Sequence, residues 1–126
     1  MRRFIECLIP LTMCNLRCSY CYVTQYKWEK NKSAHFLYNP KYIAKALSKK
    51  RLGGISLISM TASGETFIAK ELPFISLELL KQGHFINITT NGTLSNHIER
   101  FLEITEGFAG RVTCCLSTYY ISQLFR

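Results

Sequence analysis

Two rhythms of apolar and polar residues alternate along this chain. Short apolar runs at 4–9, 55–60, 85–90 and 111–117 have the length of strands. The run 55–60 is apolar enough to fit a strand buried on both sides. Between the runs the period becomes helical. Tyr42, Ile43, Ala46 and Leu47 share one face while Lys41, Lys45 and Lys49 point to water. Asn39-Pro40 is a good entrance to this helix, and Gly53-Gly54 its stop. A second helix starts near Pro73, turns Ile75, Leu79 and Leu80 inward and stops at Gly83. A third is capped by Ser95, carries Ile98, Phe101 and Leu102, and closes at Gly107; residues 120–126 begin another. The stretch 11–38 has neither rhythm. A loop of that length inside a compact domain needs a function to justify it.

Alternation of strand and helix predicts an α/β fold with a parallel sheet of four βα units, joined by right-handed crossovers. Ligands in such folds sit at the carboxyl ends of the strands. The chemically interesting residues fall there: cysteines after the first strand, Ser63-Gly64-Glu65 after the second, Asn91-Gly92 after the third.

Composition narrows the setting. The 126 residues make one domain at most, spanning 1–126, with 48% hydrophobic residues to build a core. The formal charge of +8 allows an anionic partner, but the lysines at 41, 45 and 49 form one solvated stripe, so nucleic acid is not the expected partner. No apolar stretch approaches the roughly 20 residues that span a bilayer. The first residues lack the small-residue cleavage site of a secretion signal. Six cysteines without such a signal fit a reducing cytoplasm, where thiols stay free for metal.

Cys14-Asn15-Leu16-Arg17-Cys18-Ser19-Tyr20-Cys21 places three thiols within eight residues. Thiolates are soft donors suited to iron–sulfur clusters, zinc or copper(I). Three of them hold three irons of a cubane and leave the fourth open to a substrate or cofactor. Structural zinc would need a fourth protein ligand, from Cys7, His35 or a distant residue. Helical spacing could instead put three small apolar side chains on a core face. The aromatics Tyr22, Tyr26, Trp28, Phe36 and Tyr38 follow as a shield for a cluster or a platform for an aromatic substrate.

The Cys-x3-Cys-x2-Cys spacing, with an aromatic before the last cysteine, resembles the cluster motif of the radical SAM superfamily. Ser63-Gly64-Glu65-Thr66 is similar to that family's Gly-Gly-Glu-Pro segment, with Ser63 for Gly and Thr66 for Pro. Losing the proline is expected to loosen the turn. Thr90-Asn91-Gly92 resembles the family's Thr-Asn-Gly after the third strand, although Asn-Gly is also a favoured turn pair. The resemblance implies a 4Fe-4S cluster on Cys14, Cys18 and Cys21, with S-adenosylmethionine on its open iron beside Tyr20, Ser63, Gly64, Glu65, Asn91 and Ser117. It implies reductive cleavage to a 5′-deoxyadenosyl radical that abstracts hydrogen from an unidentified substrate. An electron donor of flavodoxin or ferredoxin type and a substrate related to peptides or glycans would be the partners.

The family's partial barrel has six βα units, so four strands make an incomplete one, with its cluster loop at about 10–38. The alternative reading is a non-catalytic fragment that binds a cluster or metal, or assembles with a C-terminal complement. Cys114 and Cys115 are adjacent in a strand and point to opposite faces. His35, His84 and His97 show no paired spacing and are expected in loops or at the surface. Glu65 is expected to fix its own turn by a hydrogen bond.

Overall fold

The computed structural model describes residues 3–21 and 35–116. Strands β1 (Arg3–Ile9), β2 (Ser56–Ala62), β3 (Phe85–Thr90) and β4 (Val112–Leu116) form one parallel sheet in the order β1-β2-β3-β4. Helices α1 (Pro40–Ala46) and α2 (Lys49–Leu52) precede β2, and α3 (Leu72–Lys81) precedes β3. Helix α4 (Ser95–Ile104) and a 3-10 segment (Glu106–Arg111) precede β4. The α/β class and parallel sheet expected from the sequence are what the chain adopts. Strands adjacent in space in their chain order leave no switch point of the doubly wound kind. Crossovers of one hand then stack the helices side by side on one face, as in a barrel wall. Accordingly α1 packs on α3, and α3 on α4.

Local chemistry explains the boundaries, including those the sequence misplaced. Asn39 accepts the Tyr42 amide at 2.8 Å and Pro40 takes the first helical position, as expected. The helix does not run on to Gly53-Gly54. Ser48 turns extended, caps α2 by accepting the Arg51 amide, and Gly53 at φ 72° ends it. Tyr42 is exposed rather than inward; its ring stacks on Tyr38 at 4.9 Å, and Ala44 takes the buried position. Ser95 is the first residue of α4 instead of its cap, and Leu94 before it provides no side-chain bond. Leu102 is exposed, and α4 ends when Thr105 donates its hydroxyl to the Phe101 carbonyl.

The sheet has two unlike faces. On the helix side Ile58 lies opposite Ile86 and Met60 opposite Ile88, all buried with Leu72, Ile75, Leu79, Leu80 and Phe101 in one core. Alternate residues face the other way, and many are polar. Thr61 Oγ1 donates to Glu6 at 3.0 Å and lies 3.2 Å from the Thr89 hydroxyl. One layer below, Asn87 Nδ2 donates to Ser59 at 3.2 Å and Thr113 donates to Asn87 Oδ1 at 3.0 Å. Phe4 and Leu8 flank Glu6 on this face and are 62% and 70% exposed. Parallel strands covered on both sides read as continuous apolar runs; a polar ladder marks a face built for something other than core packing. Among the described residues, no helix is long and apolar enough to cross a membrane.

Candidate functional site

The cysteine loop leaves β1 and is clipped at once to the turn after β2. The Gly64 amide donates to the Leu11 carbonyl at 2.7 Å, and the Glu65 amide to the Met13 carbonyl at 3.0 Å. A Cβ on Gly64 would overlap the Met13 carbonyl and reach within 2.9 Å of the Thr12 carbonyl carbon. The glycine is therefore needed for space, and the group it admits is the loop's own backbone.

Glu65 is buried and spends its carboxylate on three donors. Oε1 accepts the Phe67 amide at 3.0 Å and the Thr90 hydroxyl at 2.6 Å; Oε2 accepts the Asn91 amide at 2.8 Å. Charge-assisted bonds of this kind are among the stronger ties in a protein. Glu65 does fix its turn, as expected, and also ties that turn to the end of β3. Thr66 does not loosen the turn. Its hydroxyl accepts the Ala62 amide at 3.1 Å and donates to the Thr89 carbonyl at 2.7 Å, a link that proline has no hydroxyl to make.

The loop after β3 completes the rim. Gly92 at φ 74° makes the turn, and Asn91 continues the side of β3 that carries Asn87 and Thr89. Asn91 Nδ2 donates to Asn15 Oδ1 at 3.0 Å, and Asn15 Nδ2 donates to Thr93 Oγ1 at 2.7 Å. The Thr93 amide and hydroxyl return to Asn91 Oδ1 at 3.0 and 2.7 Å. Sequence reasoning placed Asn91 toward a ligand and missed Asn15 and Thr93. The available signal was an amide side chain between two cysteines, where packing gives no reason for one.

Cys14 is exposed, Cys18 and Cys21 are half-buried, and all three thiols are free. The Cys21 amide donates to the Cys18 carbonyl at 3.0 Å, closing a turn that holds half-buried Tyr20. Loss of water around its sulfur raises the Cys14 thiol above its ordinary value, against the pull of the Leu16 amide. The charges of Glu65, Cys21 and Cys18 add to the rise, so the sulfurs of the motif feel one another. Among the described residues, no three His, Cys, Asp or Glu side chains stand at metal-holding distance as the loop lies here. In kind, though not in their distances here, three free thiols on one loop are the soft donors that an iron–sulfur cluster takes.

Ser63 is half-buried on the same turn; Ser117, Tyr22, Tyr26 and Trp28 lie outside the described residues. Phe36 packs against the core. Cys114 and Cys115 pair with Ile88 and Thr89 respectively, hence on opposite faces. His35 bonds Glu71 at 2.9 Å, and His97 bonds the Phe67 carbonyl at 2.7 Å. His84 is in a loop, one of the two settings expected, but not at the surface. It is fully buried just before β3, with Nδ1 accepting the amide of Ser56, the first residue of β2, at 3.1 Å.

A singly wound parallel sheet with a three-thiol loop at its carboxyl rim defines a class, and comparison agrees with it. The Radical SAM superfamily model matches residues 8–116, and the chain belongs to that superfamily. A curated relative, the 7-carboxy-7-deazaguanine synthase of Aquifex aeolicus (strain VF5), is 30% identical over 116 residues, covering 90% of this chain and 48% of its own. The chain thus spans about half the length of the relative it matches. No solved structure matches the chain significantly.

Proposed function

We propose that this chain forms the amino-terminal part of a radical SAM enzyme core. Cys14, Cys18 and Cys21 would hold a 4Fe-4S cluster, and the rim of Tyr20, Ser63, Gly64 and Asn91 would lie against S-adenosylmethionine, with Ser117 assigned there by the family resemblance alone. When bound, that pair would provide reductive radical chemistry for hydrogen abstraction from a substrate. The chain's own residues supply position. The amides of Gly64 and Glu65 are already taken by Leu11 and Met13, so carbonyl oxygens remain in this turn to accept from an ammonium group. Glu65 acts by holding two turns together, with its carboxylate committed to Phe67, Thr90 and Asn91.

The observation that carries this reading is the direct bonding of the cysteine loop to the turns after β2 and β3. Through Gly64 to Leu11, Glu65 to Met13 and Asn91 to Asn15, three stretches far apart in sequence make one rim. The polar ladder below it supports a small polar substrate. The relative's name favours a heterocycle of the deazaguanine kind over a peptide or glycan. A low-potential donor of flavodoxin or ferredoxin type in a reducing cytoplasm would deliver the electron.

Anaerobic reconstitution with iron and sulfide tests the reading. The expected result is about four irons and four sulfides per chain, and 5′-deoxyadenosine when S-adenosylmethionine and dithionite are added. Cys18→Ala is expected to lose both. A cluster without that product would leave the chain a cluster-holding part that needs a complement; zinc retained in air would overturn the reading.

A further inference from the structure

Away from the rim, one cavity gathers positive charge around an apolar floor. It holds about 240 Å³, with Phe67, Ala69 and Pro73 beneath and Lys70, His97 and Arg100 around it. We propose that this pocket binds a phosphoryl dianion, either free phosphate or the phosphate of a small phosphomonoester.

Three observations point the same way. The three basic side chains are all exposed at the cavity, and no acidic side chain lines it among the described residues. Of the nearby carboxylates, Glu71 Oε1 bonds His35 and Glu78 bonds Lys81, each at 2.9 Å, while Glu71 Oε2 is buried without a partner and Glu99 and Glu103 on α4 are exposed; none of the four lines the cavity. Neither Lys70 nor Arg100 forms an ion pair among the described residues. Second, Asn96 and His97 come from the first turn of the ten-residue α4, whose cap residue Leu94 gives no side-chain bond. The first-turn amides and the positive end of the helix are left without a side-chain acceptor. Third, His97 Nδ1 bonds the Phe67 carbonyl at 2.7 Å. A carbonyl only accepts, so Nδ1 carries the hydrogen and the ring is held at the cavity wall. Its other nitrogen, Nε2, is left for the ligand.

The volume and the charge select the ligand. A cavity of about 240 Å³ falls below the roughly 300–1,000 Å³ of sites for drug-sized molecules. It suits a head group with a small substituent. The two permanent cations, Lys70 and Arg100, over-neutralise one carboxylate, whereas a phosphate ester brings nearly two charges and three acceptor oxygens. Arginine is well suited to grip such a group through two parallel bonds.

Calorimetric titration of the full chain with inorganic phosphate and with phenyl phosphate, at fixed ionic strength, tests this. At least one of them is expected to saturate a single site. Lys70→Ala/Arg100→Ala should weaken that binding at least tenfold. Lys41→Ala/Lys45→Ala, which removes equal charge from exposed positions on α1, should leave it unchanged. Tighter binding of phenyl phosphate would identify a phosphomonoester site; equal binding would identify free phosphate. The His97 ring resonances should move as the site fills. Absence of saturable binding by either ligand would overturn the proposal, as would equal weakening by the two double variants. No cluster or S-adenosylmethionine enters the measurement, so its failure is distinct from failure of the radical chemistry.

Discussion

The two faces of this sheet are made by alternate residues of the same strands, yet they follow different rules. On the helix side Ile58, Met60, Ile86 and Ile88 are held by burial, which is non-directional and indifferent to which apolar neighbour fills the space. On the opposite side Glu6, Thr61, Thr89, Ser59, Asn87 and Thr113 are held by directional hydrogen bonds. Directional bonds in partly wet surroundings add little net stability, about 0.5–1.5 kcal/mol each, but they fix where polar groups stand. One face keeps the chain folded, while the other fixes the positions of polar groups below the rim. Substitutions should separate the two roles.

The largest expected effect is on the packed face. Ile88→Ala should cost about 2–5 kcal/mol in denaturant unfolding, while iron uptake by the folded protein stays at the wild-type level. Gly64→Ala inverts that pattern. Its new methyl meets the Met13 carbonyl, so a stability loss of about 1–3 kcal/mol should come with a clear fall in iron bound per folded chain. Wild-type iron content in Gly64→Ala would break the link between the glycine and the cysteine loop.

Asn15→Ala and Asn91→Ala should each cost about 0.5–1.5 kcal/mol. Because they share one bond, the double variant should cost less than the sum, a coupling that a double-mutant cycle reads directly. On the polar face, Thr61→Val should change stability by less than about 1 kcal/mol, in contrast with Ile88→Ala.

The smallest effect is a pH dependence from the base of the sheet. Burial first, with the Lys49 charge adding, lowers the His84 pKa below its ordinary value of 6.5, against the pull of the Leu47 backbone; the Ser56 amide donated to Nδ1 also favours the neutral ring. As pH falls, the unfolded chain takes up this proton before the folded one does. The stabilising contribution is therefore present above pH 6.5 and is lost as pH falls from there through the lowered folded value. His84→Gln should flatten the slope of stability against pH in that window.

Much of this was legible in the sequence because it is written in local period and spacing. The run 85–90 alternates, so β3 and its two faces could be read directly. Asn39-Pro40 carries its cap chemistry in two residues, and the cysteine spacing carries its donor chemistry in eight. What could not be read depends on which distant residue arrives opposite. Gly64 was read as making room for a ligand, but the chain it faces is Met13. Thr66 was read as a weakened proline position, because its partner Thr89 is 23 residues away. His84 was read as a loop or surface residue; it is in a loop, but a buried one, because nothing beside it in the chain announces the Ser56 amide. Ser48 sits in a stretch of helical period, so the break between α1 and α2 left no trace in the pattern.

The central claim is that the rim presents three thiols to one cluster and leaves an iron open. Electron paramagnetic resonance of the reconstituted, dithionite-reduced chain tests it most directly. The account predicts a reduced-cubane signal that shifts when S-adenosylmethionine is added and is absent in Cys14→Ala, Cys18→Ala and Cys21→Ala. A signal that ignores the cofactor, or one that survives loss of any of the three cysteines, would contradict it.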